Sequence, residues 1–127
     1  MIEKTEAVSI TMLKLALDAA SMNHQAIANN IANINTPGYS PVRVNFEAQL
    51  DGIRQTLAEG GRVRANMLDG IQPVIERGTP MADADRTATL DIESAKLAEN
   101  TVHYEALLKV LGLRMSMVGA AINEGKR

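Results

Sequence analysis

Mostly apolar residues recur with alternating steps of three and four in two long segments of the chain, one near each end. In the first segment the series is Ile10, Leu13, Leu17, Ala20, His24, Ile27, Ile31 and Ile34. In the second segment it is Leu90, Ser94, Leu97, Thr101, Tyr104, Leu108, Leu111, Met115, Val118 and Ile122. Such alternation is typical of the narrow seam through which helices pair in a coiled coil. The pattern predicts two long helices that pair with each other, and also with copies or relatives.

The predicted ends of these helices follow from their flanking residues. Asn35 tolerates the left-handed conformation at a helix C-terminus, and Pro37 cannot continue a helix. Pro37 and Gly38 suit the centre of a type II turn. For the second helix, Asp91 is a suitable N-terminal cap.

The segment between the two helices carries weaker signals. Alternating apolar residues predict a short extended piece over 42–46, and helical spacing predicts a brief helix over 46–57 that ends at Gly60-Gly61. The residues from 61 to 88 fit either a hairpin or a loop. The fold class is therefore mainly α: two long terminal helices form a coiled-coil-like hairpin with a short irregular or β-containing middle. The predicted divisions are 1–40, 41–88 and 89–127.

The C-terminal half of the first helix is unusual because its polar positions carry no charge. From Ala19 to Val42 there is no Asp, Glu, Lys or Arg. Four asparagines near the end of this stretch lie off the apolar seam, at Asn29, Asn30, Asn33 and Asn35. A solvated helix face usually carries charged residues. We expect these amides to be covered by protein in an assembly, because neutral groups are less costly to desolvate than charges; tolerated surface asparagines are the alternative.

Gly112 and Gly119 lie seven residues apart on one stripe of the second helix. Each weakens an isolated helix by about 1 kcal/mol relative to alanine. The interpretations remain open: the glycines permit close approach of another helix or keep the helix marginally stable until it finds a partner, or they are small residues with no special role.

Composition narrows the possible functions. Among 127 residues only three are aromatic, so a core built by this chain alone would be thin. The net charge of −2 disfavours nucleic-acid binding, and the absence of cysteine excludes disulfides and thiolate metal sites. The sequence shows neither the apolar run of a membrane span nor the basic-apolar start of a cleavable signal peptide.

Candidate chemistry is sparse. The two histidines, His24 and His103, lie far apart in sequence, and no nucleophile, base and orienting group can be named together. Asp83 and Asp85 lack the spacing of a calcium loop. We predict no enzyme, no cofactor, no metal and no small-molecule substrate.

The stretch "IANNIANINTPGYS" resembles the N-terminal motif of the bacterial flagellar rod and hook family, A-x-N-[IL]-A-N-x-[NDS]-T-x-G-[YF]. The motif falls on Ala28, Asn30, Ile31, Ala32, Asn33, Asn35, Thr36, Pro37, Gly38 and Tyr39. The C-terminal helix is similar to the family pattern E-x-A-x-L-A-x-N, which starts here at Glu93. The short chain without a large inserted domain most resembles the proximal-rod members of the family.

This resemblance implies a structural subunit of the flagellar basal-body proximal rod. Such subunits assemble with each other and with related axial proteins into a helical drive shaft that transmits torque. The implied partners are other rod proteins and the membrane-ring and export-gate base, and the implied location is the periplasmic rod after type III export without a cleaved signal. The alternative is a soluble helical adaptor or export chaperone, which the uncharged span 19–42 disfavours.

Overall fold

The computed structural model describes residues 2–126, which form two long helices joined by a smaller middle segment. The elements are α1 (Ile2–Ala32), β1 (Val42–Asn45), α2 (Glu47–Ala58), α3 (Ala65–Leu68), β2 (Val74–Arg77), a 3-10 turn (Asp83–Asp85) and α4 (Arg86–Gly125). The predicted fold class is confirmed, since two long terminal helices flank a short β-containing middle.

Helices α1 and α4 pack side by side and run antiparallel. Arg114 contacts Glu6, Asn100 contacts Ala20, and Glu93 contacts Asn30. Residue numbers on α1 rise as those on α4 fall, as in a helical hairpin.

A second face of α1 packs on the middle segment. Val8, Met12 and Leu15 lie against a small cluster whose buried members are Ile53, Leu68 and Ile71. Helix α1 is therefore covered on two sides by its own chain, and α4 contributes to only one of these two contacts.

Residues 61–88, for which the sequence fits either a hairpin or a loop, contain strand β2, and β2 pairs with β1. Strands β1 and β2 are antiparallel, with Val42 opposite Arg77 and Asn45 opposite Val74. Helices α2 and α3 occupy the excursion between the strands. The side chain of Gln49 closes this excursion, because it donates to the Gln72 carbonyl at 2.9 Å and accepts the Gln72 N–H at 3.0 Å.

Helix α4 begins earlier than the sequence predicts. It starts at Arg86, so Asp91 lies inside the helix and the assignment of Asp91 as N-terminal cap is wrong. The start is instead braced by an ion pair of 2.6 Å between Arg86 and Asp83. Because the first turn of α4 is largely polar, apolar periodicity does not reveal it.

The pairing seam of α4 also differs from the predicted one at alternate positions. Leu97, Tyr104, Leu111 and Val118 lie half-buried on the side predicted. The other predicted column faces outward: Leu108 is 44% exposed and Met115 is 55% exposed. The inward column is one residue earlier and consists of Glu93, Asn100, Leu107 and Arg114. Three of its four members are polar, and therefore an apolar pattern cannot detect them.

The apolar positions of the predicted α1 seam are all at least partly shielded from solvent. Leu17 and Ile27 are buried, and Leu13 and Ile31 are half-buried. His24 is exposed, contrary to its predicted seam position, and the neighbouring Asn23 contacts α4 instead.

Two adjacent leucines test the shifted seam. Leu107→Ala should lower the free energy of unfolding by about 1–2 kcal/mol, somewhat less than truncation of a fully buried leucine. Leu108→Ala should change it by less than about 0.5 kcal/mol, as is usual for an exposed site. Urea denaturation of the dilute chain measures both, and equal losses would contradict the shifted seam.

Candidate functional site

The side chain of Asn30 lies where α1, the following turn and α4 meet, and it is only 2% exposed. Its Nδ2 donates to the Val42 carbonyl at 2.8 Å and to Glu93 Oε2 at 3.1 Å. Its Oδ1 accepts the Val42 N–H at 2.8 Å and the Tyr39 hydroxyl at 2.9 Å. An amide offers two donors and one oxygen with two lone pairs, so every hydrogen-bonding position of Asn30 is used. We call Asn30, Tyr39, Val42 and Glu93 the Asn30 junction.

The turn after α1 brings Tyr39 and Val42 back to the helix. The Tyr39 N–H donates to the Thr36 carbonyl at 3.2 Å, and Gly38 has a φ of +73°. This places Pro37 and Gly38 at the centre of the turn, and a positive φ at that position favours glycine. Arg77 of β2 covers the Tyr39 ring at 5.8 Å from its centroid.

Glu93 brings α4 into the junction. It is 5% exposed, and its second oxygen accepts from Lys96 Nζ at 3.2 Å. A buried carboxylate is costly unless it is paired and hydrogen-bonded. Asn30 and Lys96 therefore compensate its burial from two helices at once.

Two further polar contacts cross the helix pair. Asn100, which is 6% exposed, donates to the Ala20 carbonyl at 2.8 Å and accepts from Asn23 Nδ2 at 3.1 Å. Nearer the other end of the pair, Arg114 Nη1 donates to Glu6 Oε1 at 2.8 Å. Polar residues at pairing positions set the register of helices, since a slipped register leaves them unpaired.

The other motif asparagines behave differently from Asn30. Asn33 is half-buried, donates to the Asn29 carbonyl at 2.9 Å and accepts from the Thr36 hydroxyl at 3.4 Å. Asn29 and Asn35 are exposed, as are Ala28, Thr36, Pro37 and Gly38. The expectation that neighbouring subunits cover these amides is therefore wrong for Asn30, which the chain covers itself, and it stays a prediction for the exposed ones.

Sequence reasoning missed three members of these contacts: Asn23, Glu93 and Asn100. The available signal was the pattern E-x-A-x-L-A-x-N, whose Glu93 and Asn100 are seven residues apart and therefore share one face of a paired helix. In the folded chain these two residues reach the amides of α1, so the N-terminal and C-terminal motifs form one structural unit.

Burial raises the pKa of the Tyr39 phenol, with a smaller contribution in the same direction from Glu93 and an opposing one from Arg77. The hydroxyl donates to Asn30 and must be protonated to do so. Because the folded pKa lies above the unfolded one, this stabilisation is complete below pH of about 10 and is lost as the pH rises through the folded pKa.

Tyr39→Phe should therefore lower the free energy of unfolding at neutral pH by about 1 kcal/mol, the typical net value of one hydrogen bond. It should also reduce the loss of stability seen on raising the pH above about 10, where the unfolded phenol ionises. Urea denaturation between neutral and alkaline pH measures both effects. An alkaline loss as steep in the variant as in the wild type would contradict the role of Tyr39.

Two other kinds of site are absent from residues 2–126. No group of three or more metal-binding side chains occurs in this part of the chain. Within the same range, none of the helices combines the length and apolarity that a membrane crossing requires.

Comparison with known proteins places the Asn30 junction in a family context. Residues 15–39 match the family described as flagella basal body rod protein. The flagellar basal body rod protein FlgB of Bacillus subtilis (strain 168) is 28% identical over 123 residues, covering 93% of this chain and 95% of the relative. The FlgB of Escherichia coli (strain K12) is 25% identical over 124 residues, covering 87% and 89%. The chain is therefore similar to flagellar basal-body rod proteins over most of its length.

A third rod relative shows that similarity is higher in one part of the chain. The FlgB of Borrelia hermsii is 39% identical over 44 residues, which is 35% of this chain. The rod-family match ends at Tyr39 and includes Asn23, Asn30 and Tyr39. Their partners Glu93 and Asn100 lie outside it, on the helix that the long alignments also cover for the most part.

Proposed function

We propose that this chain is a structural subunit of the flagellar basal-body rod, which assembles with other basal-body components into a shaft. The observation that carries the proposal is the Asn30 junction, which joins the rod-family segment 15–39 to the C-terminal helix. The similarity to rod proteins over nearly the whole chain supports the same role.

The helix pair suits a mechanical element. Contacts at Glu93, Asn100 and Arg114 tie α4 to α1 at three levels along the pair. Sliding one helix along the other would separate these polar partners. Glu93 and Asn100 are buried, and each buried group left unpaired costs about 1–3 kcal/mol. A subunit built this way transmits force along its axis without a change of register.

The finer features of the role belong to the same proposal. We place the chain in the proximal, periplasmic part of the rod, exported without a cleaved signal, with other rod proteins and the membrane-ring and export base as neighbours. Self-association is supported by the apolar residues that α4 leaves exposed, including Val102 at 68% and Leu113 at 66%. The role requires no catalysis and no cofactor. The adaptor or chaperone alternative gains no support from any contact described above.

Gene replacement tests the proposal. Deletion of the gene in its native host should abolish motility and leave basal bodies without a complete rod, and the tagged wild-type chain should restore both and co-purify with basal bodies. Motile deletion cells with complete basal bodies would refute the assignment.

A further inference from the structure

The C-terminal part of α4 exposes large apolar side chains that the chain itself does not cover. We call this the α4 tail surface; its exposed members are Val110, Leu113, Met115, Met117 and Ile122. From Val110 to Asn123 the single charged residue is Arg114, and its guanidinium is engaged with Glu6. The tail surface is therefore apolar and without a free charge, and apolar clusters of this kind mark interaction sites.

Glycines lie beside this surface without a packing role inside the chain. A Cβ added at Gly112 or Gly119 would meet no atom of the described residues within 4 Å. Both positions alternate along the helix with the exposed Leu108, Met115 and Ile122. None of residues 2–126 fills the space that these glycines leave open, and this space permits another helix to approach closely.

A second exposed surface lies on the C-terminal half of α1. We call it the neutral α1 face; it consists of Ser21, Gln25, Ala28, Asn29 and Ala32. Its residues are small or uncharged, and the flanking sequence from Ala19 to Val42 contains no charge. This face is shallow enough to receive large side chains and costs little to desolvate.

The two surfaces lie at opposite ends of the helix pair. Glu6 is opposite Arg114, so the α4 tail surface lies near the start of α1. Asn30 is opposite Glu93, so the neutral α1 face lies near the start of α4. About 20 residues of helix separate the two surfaces along the axis, which is roughly 30 Å. They cannot meet within one chain.

We propose that the α4 tail surface of one copy packs on the neutral α1 face of the next copy, head to tail. This inference rests on the proposed rod function and deepens it by assigning the two surfaces that join subunits. A tail-to-tail dimer would leave the neutral face bare, whereas head-to-tail packing covers both surfaces. A contact between two different surfaces that does not close into a ring generates an open helical polymer, which is the form a shaft requires.

Cysteine crosslinking tests the pairing directly, because the chain has no natural cysteine. Ala28→Cys and Leu113→Cys place one thiol on each surface. With a short bis-maleimide, a mixture of the two variants should give a covalent dimer, while each variant alone should give none. The double variant A28C/L113C should give a ladder of higher oligomers. Val74→Cys, exposed on β2 outside both surfaces, is the matched control and should not crosslink to either variant.

The same variants are tested in purified solution over a range of concentrations and in basal bodies from complemented cells. A Leu113→Cys dimer as abundant as the mixed dimer would overturn the proposal in favour of tail-to-tail packing, and absence of the mixed dimer in both settings would overturn it outright. If the mixed dimer is absent while the variants restore motility, the packing is wrong and the rod function stands. If the wild-type chain does not enter basal bodies, the rod function itself fails.

Discussion

Replacing Asn30 with alanine is expected to lower the free energy of unfolding by about 3–4 kcal/mol, since each buried polar group left unpaired costs about 1–3 kcal/mol. The variant removes four hydrogen bonds in a site that is 2% exposed. The N–H and C=O of Val42 both lose their side-chain partner, and the Glu93 carboxylate keeps only Lys96. Urea denaturation followed by circular dichroism measures the change.

Two variants make this result specific. Asn35→Ala changes an exposed asparagine of the same motif and should alter stability by less than about 0.5 kcal/mol. Asn30→Asp keeps the size of the side chain but cannot donate to Val42, and it sets a carboxylate against Glu93. It should be at least as destabilising as Asn30→Ala. A loss below about 1 kcal/mol for Asn30→Ala, no more than one ordinary hydrogen bond, would show that the junction does not hold the helices together.

Leu113→Lys is expected to abolish rod assembly and motility while leaving the isolated chain folded. Leu113 is 66% exposed, so the lysine is solvated in the monomer and should change its stability by less than about 0.5 kcal/mol. In a packed subunit contact the same ammonium group would be desolvated without a partner, which costs several kcal/mol per contact. Every copy in the shaft would carry this cost. Motility and the yield of rods in purified basal bodies measure the effect.

The matched control for this variant is Val74→Lys. Val74 is a large apolar residue with 48% exposure, but it lies on a strand outside the α4 tail surface. Lysine is well tolerated on the edge strands of sheets. Val74→Lys cells should therefore remain motile. Normal rods built from Leu113→Lys protein would show that the tail surface is not an assembly surface.

The difference between the predicted and observed seams has a physical cause. The sequence pattern finds columns of apolar residues, and Leu97, Tyr104 and Leu111 form such a column on the inward side of α4. The apolar column through Leu108 and Met115 is just as periodic, yet it points outward. A helix that pairs on two sides carries two apolar columns. Periodicity alone does not indicate which column packs against α1 of the same chain.

The asparagine-rich motif likewise shows that local sequence does not determine which of two similar residues is buried. Asn30 and Asn29 are adjacent, with identical side chains and a similar local sequence. Asn30 is buried and uses all its hydrogen-bonding positions, while Asn29 is exposed. The difference arises from Val42 and Glu93, which are remote in sequence and reach Asn30 only after the turn and the helix pair have formed.

The sequence by itself determined the two long helices, the turn at Pro37 and Gly38, the brief helix predicted over 46–57 and the resemblance to rod proteins, because each depends on local backbone preference, short-range periodicity or a contiguous motif. Only the tertiary structure decided the inward column of α4, the pairing of β1 with β2 and the burial of Asn30 against Glu93. Those features depend on contacts between residues 29 to 108 positions apart. Such contacts are selected by complementary shape and paired polar groups in three dimensions, and a periodic sequence pattern records neither.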